Sequence, residues 1–162
     1  RVHRDQRSIL LSAARSELFN AVLAARIGEG SWCRGAEGEV WMLDGTQSVF
    51  GPEPLSDEIL TRAARQDIHP TGAMWGLGEL RSRDAVRMLE EAAVQPFDEI
   101  RAGLEAAGLK QERRALRVRV GQIEWQWLAT DVLQVSFVLA PGAYATEVLA
   151  ELGSVGSSQR QA

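Results

Sequence analysis

Cysteine is almost absent from this 162-residue chain. Cys33 stands alone, so no internal disulfide can form, and it reads as a small semi-buried thiol instead of a nucleophile. Histidine is nearly as scarce. One Cys and two His, His3 and His69, cannot assemble the usual Cys/His zinc site, and neither imidazole has a nucleophile turn near it that would complete a Ser-His-Asp triad. His69 precedes Pro70, an extended or turn setting that suits a structural hydrogen bond. No apolar run approaches the roughly 20 residues of a membrane span, and no signal segment stands at the start. Gly76-Leu77-Gly78 lacks the further glycine, the preceding strand and the lysine of a phosphate loop. Asp57-Glu58 and Glu90-Glu91 are neighbours in sequence, so on a helix the carboxylates of each pair point about 100° apart. They read as solvated faces and not as an acid/base pair. Neither a metal nor a cofactor is expected.

What remains is an ordinary globular composition, 45% hydrophobic and 25% charged, of a length that permits one full domain or one domain and part of another. A cytoplasmic location and no membrane partner are the expectations. The net charge of −4 gives no general attraction for phosphate, but the basic residues are unevenly spread. Arg1, His3, Arg4, Arg7 and Arg15 form one group, and Lys110, Arg113, Arg114, Arg117 and Arg119 form another. Each group reads either as a solvated face or as a phosphate-contact surface.

The patterning is α+β. Asp5 or Ser8 can cap a first helix whose apolar stripe holds Leu11, Leu18, Phe19, Val22 and Leu23 and which ends near Gly28. Residues 40–43 and 48–50 flank Asp44-Gly45, a type I′ hairpin signal. Ser56 can cap a short helix carrying Ile59, Leu60 and Ala63. The Pro70-Thr71-Gly72-Ala73 segment, through Gly76 and Gly78, reads as loop. A helix near 83–94 with Val86, Met88 and Leu89 is followed by a second that starts at Pro96 and carries Phe97, Ile100 and Leu104 to Gly108. The period then changes to two: Leu116, Val118 and Val120 alternate with Arg117 and Arg119, and strands follow over 123–127 and 131–139. A domain boundary is placed near residue 118, and the Ser/Gly/Gln-rich tail over 153–162 is expected to be disordered. Trp125 and Trp127 share a strand face and read as core.

Val135, Phe137 and Leu139 lead into Pro141-Gly142, after which Ala145, Val148, Leu149 and Leu152 mark a helix that Gly153 stops. Such a strand–turn–helix junction exposes backbone N–H groups and one side chain, here Tyr144. Its ring is either a stacking platform for a nucleobase or a half-buried packing residue.

The order of motifs carries a resemblance. Ser12-Ala13-Ala14-Arg15-Ser16 with Leu18-Phe19-Asn20, then Asp67-Ile68-His69-Pro70-Thr71-Gly72, Glu112-Arg113-Arg114-Ala115-Leu116, Trp125-Gln126-Trp127, and finally Pro141-Gly142-Ala143-Tyr144-Ala145-Thr146 resemble the tRNA pseudouridine synthase D family in its order and nearly its spacing. The likeness implies that residues 1–117 are most of that family's insertion domain. Residues 118–152 would then be the last strands and final helix of its mixed-sheet catalytic domain. It implies a cofactor-free isomerisation of uridine to pseudouridine in the D-arm region of tRNA, with tRNA as partner and a monomeric enzyme. No catalytic residue is expected in this chain: nothing in it resembles the family's aspartate nucleophile motif, and a start at Arg1 reads as the C-terminal portion of a longer protein. A non-catalytic RNA- or protein-binding module derived from the family is the alternative. Tyr144 matches the family's phenylalanine that meets the substrate base, while Ala143 stands where serine is common. Arg113 and Arg114 are the expected RNA contacts.

Overall fold

A computed structural model of the chain describes residues 4–141 and 143–153. The tail beyond 153, Gly142 and the side chains of Arg4 and Asp5 lie outside the described residues. The chain divides into two compact units, residues 1–117 and 118–162, and each is described by itself.

The first unit is built on a four-stranded antiparallel sheet of order β2-β1-β3-β4, formed by β1 (Trp41–Leu43), β2 (Val49–Phe50), β3 (Ile68–Met74) and β4 (Glu112–Ala115). Helices α1 (Arg4–Gly28), α2 (Asp57–Ala64), α3 (Asp84–Val94) and α4 (Asp98–Ala106) surround it, with a 3-10 turn at Gln95–Phe97 joining the last two. The expected stripe on α1 is present: Leu18, Phe19 and Val22 are buried, and Leu11 and Leu23 are half-buried. The helix ends as a Schellman motif. Gly30 takes positive φ, its N–H bonds the Ile27 carbonyl at 3.0 Å, and the Ser31 N–H bonds the Arg26 carbonyl at 2.9 Å. Over Gln6–Gly28 this helix is also long and apolar enough to cross a bilayer by length and composition alone, which the run length had not indicated. One side of it packs on β3, α3 and α4 in this fold.

Ser56 caps α2 as expected, its hydroxyl accepting from the Ile59 N–H at 3.3 Å. The Asp44-Gly45 turn forms, but only Gly45 has positive φ, and the Thr46 N–H bonds the Leu43 carbonyl at 3.2 Å. With one positive φ this is not the type I′ geometry expected.

The larger correction is β3. The segment read as loop is a central strand with every residue buried. It pairs with β1 (Trp41↔Pro70) and with β4 (Gly72↔Arg114), so both edges are paired, and with α1 and α2 packed on it no alternation marks it. Proline is tolerated because the Pro70 carbonyl accepts from the Leu116 N–H, one residue past the end of β4. The N–H that Pro70 lacks falls where that ladder stops. Glycine suits residue 72 because α1 crosses there: a Cβ would lie 3.0 Å from both the Phe19 and Leu116 side chains, which would have to give way. Three apolar clusters fill the unit. Leu18, Val22, Ala73, Trp75, Leu80, Val94 and Leu104 form the largest; Trp41, Ile59, Ala63 and Ile68 pack under α2; Phe19, Met74 and Leu116 form the third.

The second unit, among its described residues, is a hairpin of β5 (Gly121–Ala129) and β6 (Val132–Val138) followed by α5 (Ala145–Ala150). Residues 116–120, expected to alternate as strand, form no strand; Leu116 and Arg117 are instead the inward end of unit 1.

Candidate nucleic-acid interface

The sequence offered two basic groups, and among their described residues the structure turns three cations inward, Arg15, Arg113 and Arg117. Arg113 lies on β4 with its side chain only 5% exposed. Its Nε donates to Thr71 Oγ1 at 2.9 Å and its Nη2 to the Thr71 carbonyl at 2.8 Å, while Nη1 and Nη2 meet the two oxygens of Glu90 at 3.0 and 2.7 Å. Arg113 is therefore not placed to meet a phosphate. Glu90, read as part of a solvated face, is fully buried on α3 and also accepts from Ser82 Oγ at 2.5 Å. Met88, on the same helix, is exposed. Arg114, the next residue on β4, points the other way. It is exposed, and its guanidinium stands 5.2 Å over the Phe19 ring.

Arg15 and Arg117 are also structural. Arg15 bonds the carbonyls of Met74 and Trp75 at 3.0 and 3.1 Å and pairs with Glu112 at 3.0 Å, tying α1 to β3 and β4. Arg117 donates Nε–H to His69 Nδ1 at 3.0 Å and reaches the carbonyls of Cys33, Ala63 and Ile68 at 2.8, 2.6 and 2.9 Å. Burial lowers this guanidinium from its ordinary value, with the Cys33 thiol and the Asp44 carboxylate opposing. An arginine N–H can only donate, so His69 Nδ1 accepts and Nε2–H is left to donate to Asp44 Oδ1 at 2.8 Å. His69 is a structural histidine.

One buried pair escaped the sequence reading. Arg26 from the last turn of α1 meets Glu39, and both side chains are fully buried. Glu39 also accepts from the backbone N–H of Val40 and Thr71 at 3.2 and 3.3 Å. Burial pushes its carboxyl up from the ordinary range, while Arg26 and the Thr71 N–H pull it down. Arg26 and Glu90 each had a signal in sequence: they continue the apolar stripes Leu18-Val22-Arg26 and Val86-Glu90-Val94 at the i+4 step.

Among the described residues these placements leave Arg7, Lys110 and Arg114 as exposed cations of unit 1 from the two groups. Arg119 is exposed in unit 2. Among the described residues no group of three His, Cys, Asp or Glu is placed to hold a metal.

In the second unit Tyr144 stands immediately before α5, extended at φ −104° and 75% exposed. Its carbonyl accepts from the Glu147 N–H at 3.2 Å, the first turn of that helix. Within its own unit the ring is not a packing residue. Val148 and Leu149 are half-buried, whereas Leu152, expected on the helix, lies beyond it and is exposed. The hairpin has two register irregularities, between Gly121 and Glu124 and between Trp127 and Ala129, and pairs regularly between them. Trp125 pairs with Val135 and Trp127 with Leu133, while Gln126 opposite Gln134 makes a side-chain bond of 2.7 Å on the other face. Trp125 and Trp127, expected to be core, are 66% and 61% exposed. A two-stranded sheet has no second layer of its own to cover such a face.

Comparison with known proteins places these residues in context. A family model described as tRNA pseudouridine synthase D matches residues 1–152. The chain is 57% identical over 162 residues to the tRNA pseudouridine synthase D of Xanthomonas axonopodis pv. citri, and the match covers 99% of this chain and 44% of that protein. It is 45% identical over 147 residues to that of Nitrosococcus oceani, covering 90% of this chain and 41% of the relative. The chain thus spans less than half the length of these curated relatives. A solved Methanosarcina mazei structure described under the same family name superposes with a TM-score of 0.62 at 19% identity, over 85% of this chain and 36% of that one, a likeness of fold.

Proposed function

From a chain that belongs to the tRNA pseudouridine synthase D family, we propose that the complete protein isomerises a uridine of tRNA to pseudouridine and that this segment supplies its C-terminal part. The observation that carries the reading is the family match across residues 1–152, which takes in every ordered motif of the chain. In the reaction the N1–C1′ glycosidic bond breaks, the uracil rotates, and C5 bonds to C1′. The C5 proton leaves and N1 gains one, so no cofactor, metal or redox partner is required. The target uridine is in the D-arm region, the nucleophilic aspartate is supplied by the part of the protein outside this chain, and the enzyme works as a cytoplasmic monomer.

Under this reading unit 1 is most of the insertion domain and unit 2 is the terminal edge of the catalytic sheet. The uncovered Trp125/Trp127 face supports that assignment, since such a face is stable only when more of the protein covers it. Uracil must leave the stack to react, which exposes its π-face. An unpacked Tyr144 ring at a helix start is suited to receive it, and exposed Arg114 on unit 1 is suited to hold a phosphate of the RNA.

The test replaces the matching segment of the Xanthomonas axonopodis relative with residues 1–162. The chimera should release tritium from tRNA carrying 5-³H-uridine, whereas the 162-residue chain alone should release none. A folded chimera that binds tRNA without release would favour the non-catalytic binding module.

A further inference from the structure

We propose that Lys110 and Arg114 hold two phosphates of one RNA strand, with Arg15 cancelling the carboxylate that stands between them. This deepens the Arg114 contact above and rests on the same tRNA reading. From Lys110 to Ala115 exposure alternates residue by residue, so Lys110, Glu112 and Arg114 form one outward row while Arg113 turns inward. The start of the row is fixed by a bridge from Lys110 to Leu77, with the Gln111 N–H on the Leu77 carbonyl at 2.9 Å. At about 3.3 Å per residue the two cations leave the backbone about 13 Å apart. Helix α1 runs beside this row. Ser12, Arg15, Ser16 and Phe19 fall at i, i+3, i+4 and i+7, on one face of the helix. Arg15 pairs with Glu112 at 3.0 Å, and the Arg114 guanidinium stands 5.2 Å over the Phe19 ring.

The charge of the row decides its ligand. Arg15 is anchored on the carbonyls of Met74, Trp75 and Lys110 at 3.0, 3.1 and 2.6 Å, so it stays beside Glu112 and answers its charge. Among the described residues neither Lys110 nor Arg114 meets a carboxylate, whereas exposed Arg87 is paired with Glu91 at 2.9 Å and Arg101 with Asp98 at 2.8 Å. The Phe19 ring holds the Arg114 guanidinium in place without cancelling it. Three cations against one carboxylate leave the row positive on a chain of net charge −4. Glu17 of α1 lies about 200° around the helix from both Arg15 and Phe19 and so faces away. A phosphodiester strand repeats its charge at a regular spacing and takes hydrogen bonds from hydroxyls as well as from cations. Ser12 and Ser16 put two hydroxyls on the face that meets the row. Exposed Leu77 beside Lys110 is a single apolar side chain, far below the area a protein interface buries.

The experiment measures tRNA affinity of the chimera at several salt concentrations, with melting temperatures alongside. Lys110→Ala and Arg114→Ala should each reduce the slope of log affinity against log salt by about one, and the double variant by about two, with melting temperatures unchanged. Lys110→Arg keeps the charge and should keep the slope. Glu112→Gln should bind several-fold tighter at low salt, because the charge of Arg15 then joins the row. Arg87→Ala, which removes a guanidinium already paired with Glu91, should bind as the parent does. An unchanged slope in either single variant of the row overturns the proposal, as does an equal fall in Arg87→Ala or weaker binding by Glu112→Gln. A loss that appears only where the melting temperature falls overturns it too. A parent chimera that neither binds nor modifies tRNA overturns the underlying reading, a separate result from a variant that binds as the parent does.

Discussion

Replacing Arg113 by Ala should unfold this protein more than it weakens its hold on RNA. The Arg113 side chain is 5% exposed and Glu90 is fully buried, with two N–O contacts of 3.0 and 2.7 Å between them. Removing one partner of a buried pair strands the other charge, which costs about 3–5 kcal/mol. Thr71 loses two donors in the same step, at its hydroxyl and its carbonyl. Against a stability of about 5–15 kcal/mol that is a large fraction. For a unit of this size each kcal/mol is worth roughly 4 °C, so the melting temperature should fall by about 12–20 °C. Urea denaturation of Arg113→Ala, Glu90→Gln and the double variant reads it directly. The double variant should be less destabilised than the sum of the two, because neither charge is then left alone. Arg113→Ala with an unchanged urea midpoint, but a shallower salt dependence of tRNA binding, would refute the inward placement and restore a phosphate contact.

Arg114→Ala should do the reverse: stability within about 0.5 kcal/mol of the parent, and a salt slope for tRNA binding by the chimera reduced by about one. An unchanged slope would make Arg114 a solvated residue. Gly38→Ala should cost several kcal/mol or abolish folding, since its Cβ would lie 1.9 Å from the Arg83 carbonyl oxygen and its φ is +83°; a normal thermal melt would contradict that crossing. Tyr144→Ala in the chimera should reduce turnover by roughly tenfold, from about 1–3 kcal/mol of lost stacking, with Tyr144→Phe near normal. Normal turnover by a thermally unchanged Ala variant would end the base-contact role.

How far the sequence could be read depended on the range of the interactions. Ser56, Asp44-Gly45, Pro96 and the Leu18-Phe19-Val22 stripe act through near neighbours, and the elements they announce are present. β3 was missed because its residues answer to distant partners. Pro70 and Gly72 look like loop until Leu116 and Phe19 are brought against them. Arg113 and Arg117 looked like surface cations for the same reason: Glu90 is 23 residues from the first, and the Cys33 carbonyl is 84 from the second. Trp125 and Trp127 were misread in the opposite direction. Their apolar face is real, but the described residues of their own unit do not cover it. The place of Tyr144 just before a helix was legible because the apolar pattern of a helix begins immediately after it.

The most direct test of the account is where pseudouridine appears in a living cell. A strain lacking its own enzyme of this family would express the chimera carrying residues 1–162, and its tRNA would be mapped for pseudouridine at single-nucleotide resolution. The account predicts that pseudouridine returns at one uridine of the D-arm region, and that the Tyr144→Ala chimera returns much less of it. A folded, tRNA-binding chimera that returns no pseudouridine, or returns it only outside the D arm, would contradict the account.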